Sequence, residues 1–420
     1  MSQYFPFEIW LRVGSFMSLK ELVQFSSCSR YFRQLLQYVE EIPCEYSSKL
    51  GDFFPRLRRL IVKSPVEIPQ SCQELDLYFG VWSGSLSHLK LKSLRAGALL
   101  TNSHLTGQDS LEYLDCTGAL RLFPQEWNLP SLKSLVVGVN FNFKGNCFSR
   151  LTSLTSLDLS ANEEIGDDSL MPLTSLTCLI GNSFSPITNL TLFHHQNLTE
   201  LRNLAEITSE GLASCHNLKI FVGGDRVESW ALSNLTSLTT LDFSSPIEDN
   251  SLLNLTNLRH LSLHHPVSSD VFKTLTNLER LSLSECSSEN LRALKNHPKL
   301  SHLEVGSQTP IEIFGLKNLT QLTALNYYSY LSFPSDLSGL TNLKYLQFRL
   351  PPRHNFQIEN LYPLTKLICL QISGISLKEE DVSFLPKLKK FQKKNLSKEE
   401  ILFPSVIPPS TNRIFDSSKN

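Results

Sequence analysis

Histidine and cysteine have the most chemistry to offer in this sequence, and their spacing offers little of it. His194-His195 and His264-His265 stand as adjacent pairs. A zinc site needs four convergent ligands, usually with cysteine or carboxylate at set spacing, so both pairs read as solvent-facing strand or loop residues. Nine cysteines scatter from Cys28 to Cys369 with no CxxC pair, the pattern of buried reduced thiols and not of a disulfide framework. There is no Walker loop, no GxGxxG after a strand, no HExxH and no GxSxG elbow. No metal, cofactor or catalytic residue is assigned, and the sequence favours a binding protein.

The residues suited to recognition lie in the second half: His260, His264, Arg280, His302, Glu304, Asn326, Tyr328, Tyr345, Gln347 and Arg349. Tyrosine and arginine are the types in which interface hot spots are enriched. Each occupies an intervening position of a Leu-x-x-Leu-x-Leu-x unit. In an extended strand successive side chains alternate faces, so these residues point away from the leucines. Earlier copies carry small or acidic residues there: Asp115, Ser134, Ser156, Asp158, Thr240 and Asp242. A protein partner is therefore expected on the later part of this face.

The units that position these residues recur with a fixed period. Leu198-Thr-Glu-Leu201, Leu218-Lys-Ile-Phe221, Leu238-Thr-Thr-Leu241, Leu258-Arg-His-Leu261 and Leu278-Glu-Arg-Leu281 begin twenty residues apart, and Leu300-Ser-His-Leu303 follows after twenty-two. This period and pattern resemble a leucine-rich repeat. The resemblance implies an α/β solenoid, a leucine-rich-repeat horseshoe with parallel strands on the concave face and short helical turns on the convex face. Ser209, Ser229, Asp249 and Ser269 fall eleven residues after an anchor and predict helix N-caps. Apolar pairs such as Leu232/Leu235 and Leu252/Leu255 follow them. The asparagine or cysteine usual eight residues after the anchor is present only as Asn140, Asn162 and Cys286, with Pro246, Pro266 and Pro351 elsewhere. Before Leu111 the spacing is uneven, with strands expected at 57–62, 75–77 and 86–91.

The first forty residues carry a different signal. Pro6 suits a first helical position, with Glu8 in the first turn. Ile9, Val13 and Phe16 share a helix face, and Ser18-Leu-Lys-Glu21 forms a capping box. Phe5-Pro6-Phe-Glu8-Ile9, Leu19-Lys-Glu21-Leu22 and Phe25-Ser-Ser-Cys28-Ser29-Arg30-Tyr-Phe32 resemble the F-box. Phe5 stands for the usual Leu, Glu21 for Asp and Cys28 for Val, and Gly14 interrupts the first helix. The resemblance implies that Phe5, Pro6, Ile9, Val13 and Leu22 contact a Skp-type adaptor within a cullin-based ubiquitin ligase complex. The alternative is a helical cap on a pure interaction scaffold, since solenoids need their ends shielded.

The domain organisation expected is an F-box-like domain at 1–40, a linker with irregular first repeats at 41–110, a solenoid at 111–392 and a loosely ordered tail at 393–420. A formal charge of -1 argues against nucleic acid or an anionic membrane as partner. The N-terminus lacks the basic and apolar regions of a signal peptide, and no apolar run is long enough to span a bilayer. The reading is intracellular, cytoplasmic or nuclear. Asn-Leu-Thr triplets such as that at Asn234 are then repeat chemistry and not glycosylation sites.

Overall fold

A computed structural model describes residues 41–44, 58–62, 68–77, 84–139, 142–307, 313–329, 337–349, 356–374 and 377–393. The F-box-like segment and the tail lie outside the described residues, as do Asn140 and Pro351. The chain divides into two compact units between Asn197 and Leu198.

The strands of the first unit are β1 (Glu41–Cys44), β2 (Arg59–Val62), β3 (Glu74–Asp76), β4 (Ser93–Arg95), β5 (Tyr113–Asp115), β6 (Ser134–Val136), β7 (Ser156–Asp158) and β8 (Cys178–Ile180). Each pairs in parallel with the next. The second unit has β9 (Glu200–Arg202), β10 (Ile220–Gly223), β11 (Thr240–Phe243), β12 (His260–Leu263), β13 (Arg280–Leu283), β14 (His302–Ser307), β15 (Ala324–Ser329), β16 (Tyr345–Arg349), β17 (Cys369–Ser373) and β18 (Lys390–Lys393). These too pair in parallel and in chain order. This is the leucine-rich-repeat solenoid that the twenty-residue period predicts.

The pattern dictates the packing. In the coil of β12, Leu258, Leu261, Leu263, Leu252 and Leu255 are buried to 1% or less. The chain comes back on a short helical turn, either α-helical as at Ser209–Ala213 or 3-10 as at Asp249–Ser251. Each fully buried aliphatic side chain contributes roughly 1.5–3 kcal/mol, and no single coil shields its own from water. Stacking completes the core.

The helical turns start one residue from the expected place. Ser209, Ser229 and Asp249 are first helical residues, with Thr208, Glu228 and Glu248 at the N-cap. Ser269 lies ahead of the turn Val271–Thr274, whose N-cap is Asp270. The shift gives these side chains another task. Ser209 Oγ accepts from the Glu228 N–H at 2.8 Å, Ser229 Oγ from Glu248 at 3.2 Å and Asp249 Oδ1 from Ser268 at 3.1 Å. Each thus satisfies a backbone donor on the following coil. In the first unit Asp167 does the same for Thr188, at 2.9 Å.

A second ladder lies one residue before the anchor leucine, apart from the usual asparagine position. Asn257, Asn277 and Asn342 donate from Nδ2 to the carbonyls of Thr236, Thr256 and Thr320 on the preceding coil, at 2.9, 3.0 and 2.9 Å.

The expected strand at 86–91 is absent. Leu86 and Leu89 belong to the return turn, and Leu91 is the anchor of β4, twenty residues before Leu111. A return-turn leucine pair three apart has the same spacing as a strand anchor, and Cys72 in an anchor slot hides the coil before it. The repeat therefore begins earlier than its leucines suggest.

Candidate functional site

Three rows of outward residues cross the sheet of the second unit, set by strand register. The first runs Thr240, His260, Arg280, His302, Ala324, Tyr345, Cys369. The second runs Asp242, Ser262, Ser282, Glu304, Asn326, Gln347, Gln371, Gln392. In the third, Gly306, Tyr328, Arg349 and Ser373 are partners in order. The leucines between the rows, Leu261, Leu281, Leu303, Leu325, Leu346 and Leu370, are buried to 2% or less. Register thus places His260, Arg280, His302, Glu304, Tyr328, Tyr345, Gln347 and Arg349 on one face, with His264 one residue beyond the end of β12.

His260, Arg280 and His302 sit side by side on three strands. His260 Nδ1 lies 3.1 Å from Thr240 Oγ1, and His302 Nδ1 lies 2.8 Å from Ser301 Oγ. Burial first, then the Arg280 guanidinium and His260, pushes the His302 pKa down to about 4. Burial and Arg280 also lower His260, against the opposing pull of Glu279. Both rings are therefore neutral at pH 7, and Arg280 carries the charge of the trio. His264 is exposed, its Nε2 3.1 Å from Asp242 Oδ1.

Burial raises the pKa of Glu304, although Asn326 Nδ2 donates to its Oε1 at 3.0 Å. Tyr328 and Tyr345 are half-buried, and Arg349 is exposed. Two residues of this face escaped the sequence reading. Gln371 is 3% exposed and continues the row of Asn326 and Gln347. Gly306 supports Tyr328: a Cβ there would come within 2.1 Å of Tyr328 Cε2 and 2.6 Å of the Ser284 carbonyl oxygen. A tyrosine ring on one strand lies over glycine on the next, a relation visible only once register is known.

On the first unit's strands the acidic side chains have partners. Arg95 Nε stands 3.2 Å from Asp115 Oδ2 and its Nη1 3.7 Å from Asp76 Oδ2. Asp158 Oδ1 accepts from the Ser160 N–H at 2.9 Å and Oγ at 2.6 Å. The acidic residues seen in the sequence are thus partnered, Asp115 by an arginine on a coil that the uneven early spacing concealed.

His195 corrects the expectation of a solvent-facing pair. It is 3% exposed, with Nε2 3.0 Å from the Leu170 carbonyl oxygen, while His194 is exposed. Among the described residues no three His, Cys, Asp or Glu side chains group as metal ligands. Seven cysteines, from Cys72 to Cys369, are buried and form no disulfide. Burial pushes the thiols of Cys72 and Cys286 up to about 12 and those of Cys147 and Cys215 to about 11, which suppresses the reactive thiolate. Among the described residues no helix is long and apolar enough to cross a membrane.

An F-box domain model matches residues 4–41, the stretch that holds Phe5, Pro6, Ile9, Val13 and Leu22. No curated protein sequence matches the chain. Among solved structures it is similar to the TLR13–ssRNA13 complex, at 16% identity over 87% of this chain and 68% of that one, with a TM-score of 0.50. An internalin (inlF) from Listeria monocytogenes is 18% identical over 86% of this chain and 89% of that one, TM-score 0.33. The LRR ectodomain of the receptor kinase GASSHO1/SCHENGEN3 from Arabidopsis thaliana is 18% identical over 84% and 60%, TM-score 0.32. At these identities likeness speaks for the fold alone. An F-box segment joined to stacked leucine-rich coils is an architecture typical of non-catalytic interaction proteins. This chain is an F-box/leucine-rich-repeat protein.

Proposed function

We propose that this protein is the substrate-recognition subunit of a cullin-based ubiquitin ligase. Phe5, Pro6, Ile9, Val13 and Leu22 would dock a Skp-type adaptor. The strand face from β12 to β17 would hold a protein substrate through His260, His264, Arg280, His302, Glu304, Tyr328, Tyr345, Gln347 and Arg349. The observation that carries this reading is the F-box match at residues 4–41, placed ahead of a solenoid with a polar, aromatic strand face. The protein itself makes no bond. It raises the effective concentration of a substrate lysine beside a ubiquitin-charged enzyme, the entropic contribution that proximity makes to a rate. Buried reduced thiols suit a reducing compartment, so we place its action inside the cell.

Adaptor capture tests the proposal. The purified chain should retain a Skp-type adaptor, and Pro6→Ala/Ile9→Asp should lose it with the circular dichroism of the solenoid unchanged. Absence of adaptor from both proteins would instead identify a scaffold whose N-terminal helices only cap the coils.

A further inference from the structure

Four consecutive strands, β15 to β18, present a carboxamide at the same register: Asn326, Gln347, Gln371 and Gln392. We infer that this row is a rail for the main chain of an extended peptide segment, so that the partner is read by its peptide groups more than by its side chains. The inference rests on the substrate-receptor reading and names the class of substrate.

A carboxamide offers one acceptor oxygen and two N–H donors, the complement of a peptide group. In the row these groups are not fully engaged with the protein. Gln347 Oε1 and Gln371 Oε1 are buried without a hydrogen-bond donor, and Gln371 as a whole is 3% exposed. An acceptor left this way is costly. The last torsion of glutamine is broad and two-fold, so each oxygen turns readily to an arriving N–H. The row begins at Asn326, whose Nδ2 already donates to the Glu304 carboxylate on the preceding strand. On the side of the first row it is bordered by the small buried Ala324 and Cys369, which leave room for a backbone. Tyr345 and Tyr328 stand as flanking aromatic surfaces.

Spacing and charge agree on the occupant. Adjacent strands lie about 4.8 Å apart, so the four amides span roughly 14 Å. An extended chain covers that distance in about four residues. The charged residues along the rows here are Glu304, Arg349 and Lys390, too few cations for the basic groove that single-stranded nucleic acid requires.

The test starts from random twelve-residue peptides displayed to the immobilised full-length chain. A selected peptide is resynthesised with single N-methyl groups and, separately, with single alanines. N-methylation at two or more positions within a four-residue window should weaken binding by about tenfold or more. Alanine at those positions should change it by less than about threefold. Gln347→Leu/Gln371→Leu should lose the peptide while keeping adaptor capture. Dependence on side chains but not on peptide N–H groups overturns the inference. So does full binding by the folded double variant. Failure to select any peptide by a chain that still captures adaptor overturns it too. The methyl scan needs no variant, so a double variant that fails to fold leaves the test standing. Loss of adaptor capture with the rail intact would count against the ligase reading alone.

Discussion

His195 shows how one residue type carries a pH response into the core. It stands three residues before the anchor Leu198, a slot filled by Leu235, Leu255 and Leu319 in other coils. Burial, then His194, lowers its pKa from 6.5, and the Leu170 carbonyl opposes the shift. The unfolded chain therefore takes up a proton more readily below pH 6.5 than the folded one, and stability falls as pH drops through that value. The loss is at most about 1.4 kcal/mol per pH unit for each such histidine. His195→Leu should reduce the difference in urea midpoint between pH 7.5 and pH 5.5; an unchanged difference would assign the response to other groups. On the strand face, Tyr328→Ala/Tyr345→Ala/Arg349→Ala should abolish binding of a captured substrate, and Gly306→Ala alone should weaken it by displacing the Tyr328 ring. Calorimetric titration of wild type and variants would settle both. Much of this face was legible in the sequence, because alternation along a strand decides which residues look outward. Gln371 was legible as well, at the same slot as Gln347, but the longer step from Leu343 to Leu367 obscured it. Gly306 and the burial of His195 were not, since both depend on what the neighbouring coil places opposite.

The element that repeats is a strand, a turn and a short helical return, and its joints are polar. Ser229 belongs by sequence to its own helical turn, yet its hydroxyl accepts the Glu248 N–H of the next coil. Removing that acceptor leaves a backbone donor without its partner in a site where Ser229 is 7% exposed. Ser229→Ala should cost about 1 kcal/mol, read as a shift in urea midpoint at constant slope. Glu228→Ala removes the N-cap side chain, which makes no capping bond, and should cost less. The reverse order would mean that the Ser229 hydroxyl contributes little to the joint between the coils. Apolar periodicity made the strands and helical turns legible, because burial selects leucine at the same places in each coil. The joints were not, since an acceptor bonded within its own turn and one bonded to the next coil have the same residue type at nearly the same position. Likewise Leu86-x-x-Leu89 and a strand anchor share a spacing and differ only in which side of the coil they fill.

At the scale of the whole chain, stability is distributed along a line. Within the second unit each strand from β10 to β17 pairs with the ones before and after it, and each coil's leucines are covered by its neighbours, so a perturbation has one dimension in which to spread. Leu281 is fully buried and lies in register between Leu261 and Leu303. Leu281→Ala should remove roughly 2–5 kcal/mol through lost burial and the cavity left behind. In a globular core that loss would be shared by the whole domain. In this unit the amides of β12, β13 and β14 should lose the most hydrogen-exchange protection, with smaller losses at β11 and β15 and least at β9 and β18. A uniform loss across β9–β18 would mean that the unit opens as a single block and that coil-by-coil coupling is wrong. The same line shapes binding: a segment lying across β15 to β18 ties four coils together at once. It should therefore protect their amides together, and the gain should fade with distance from β15 along the earlier strands.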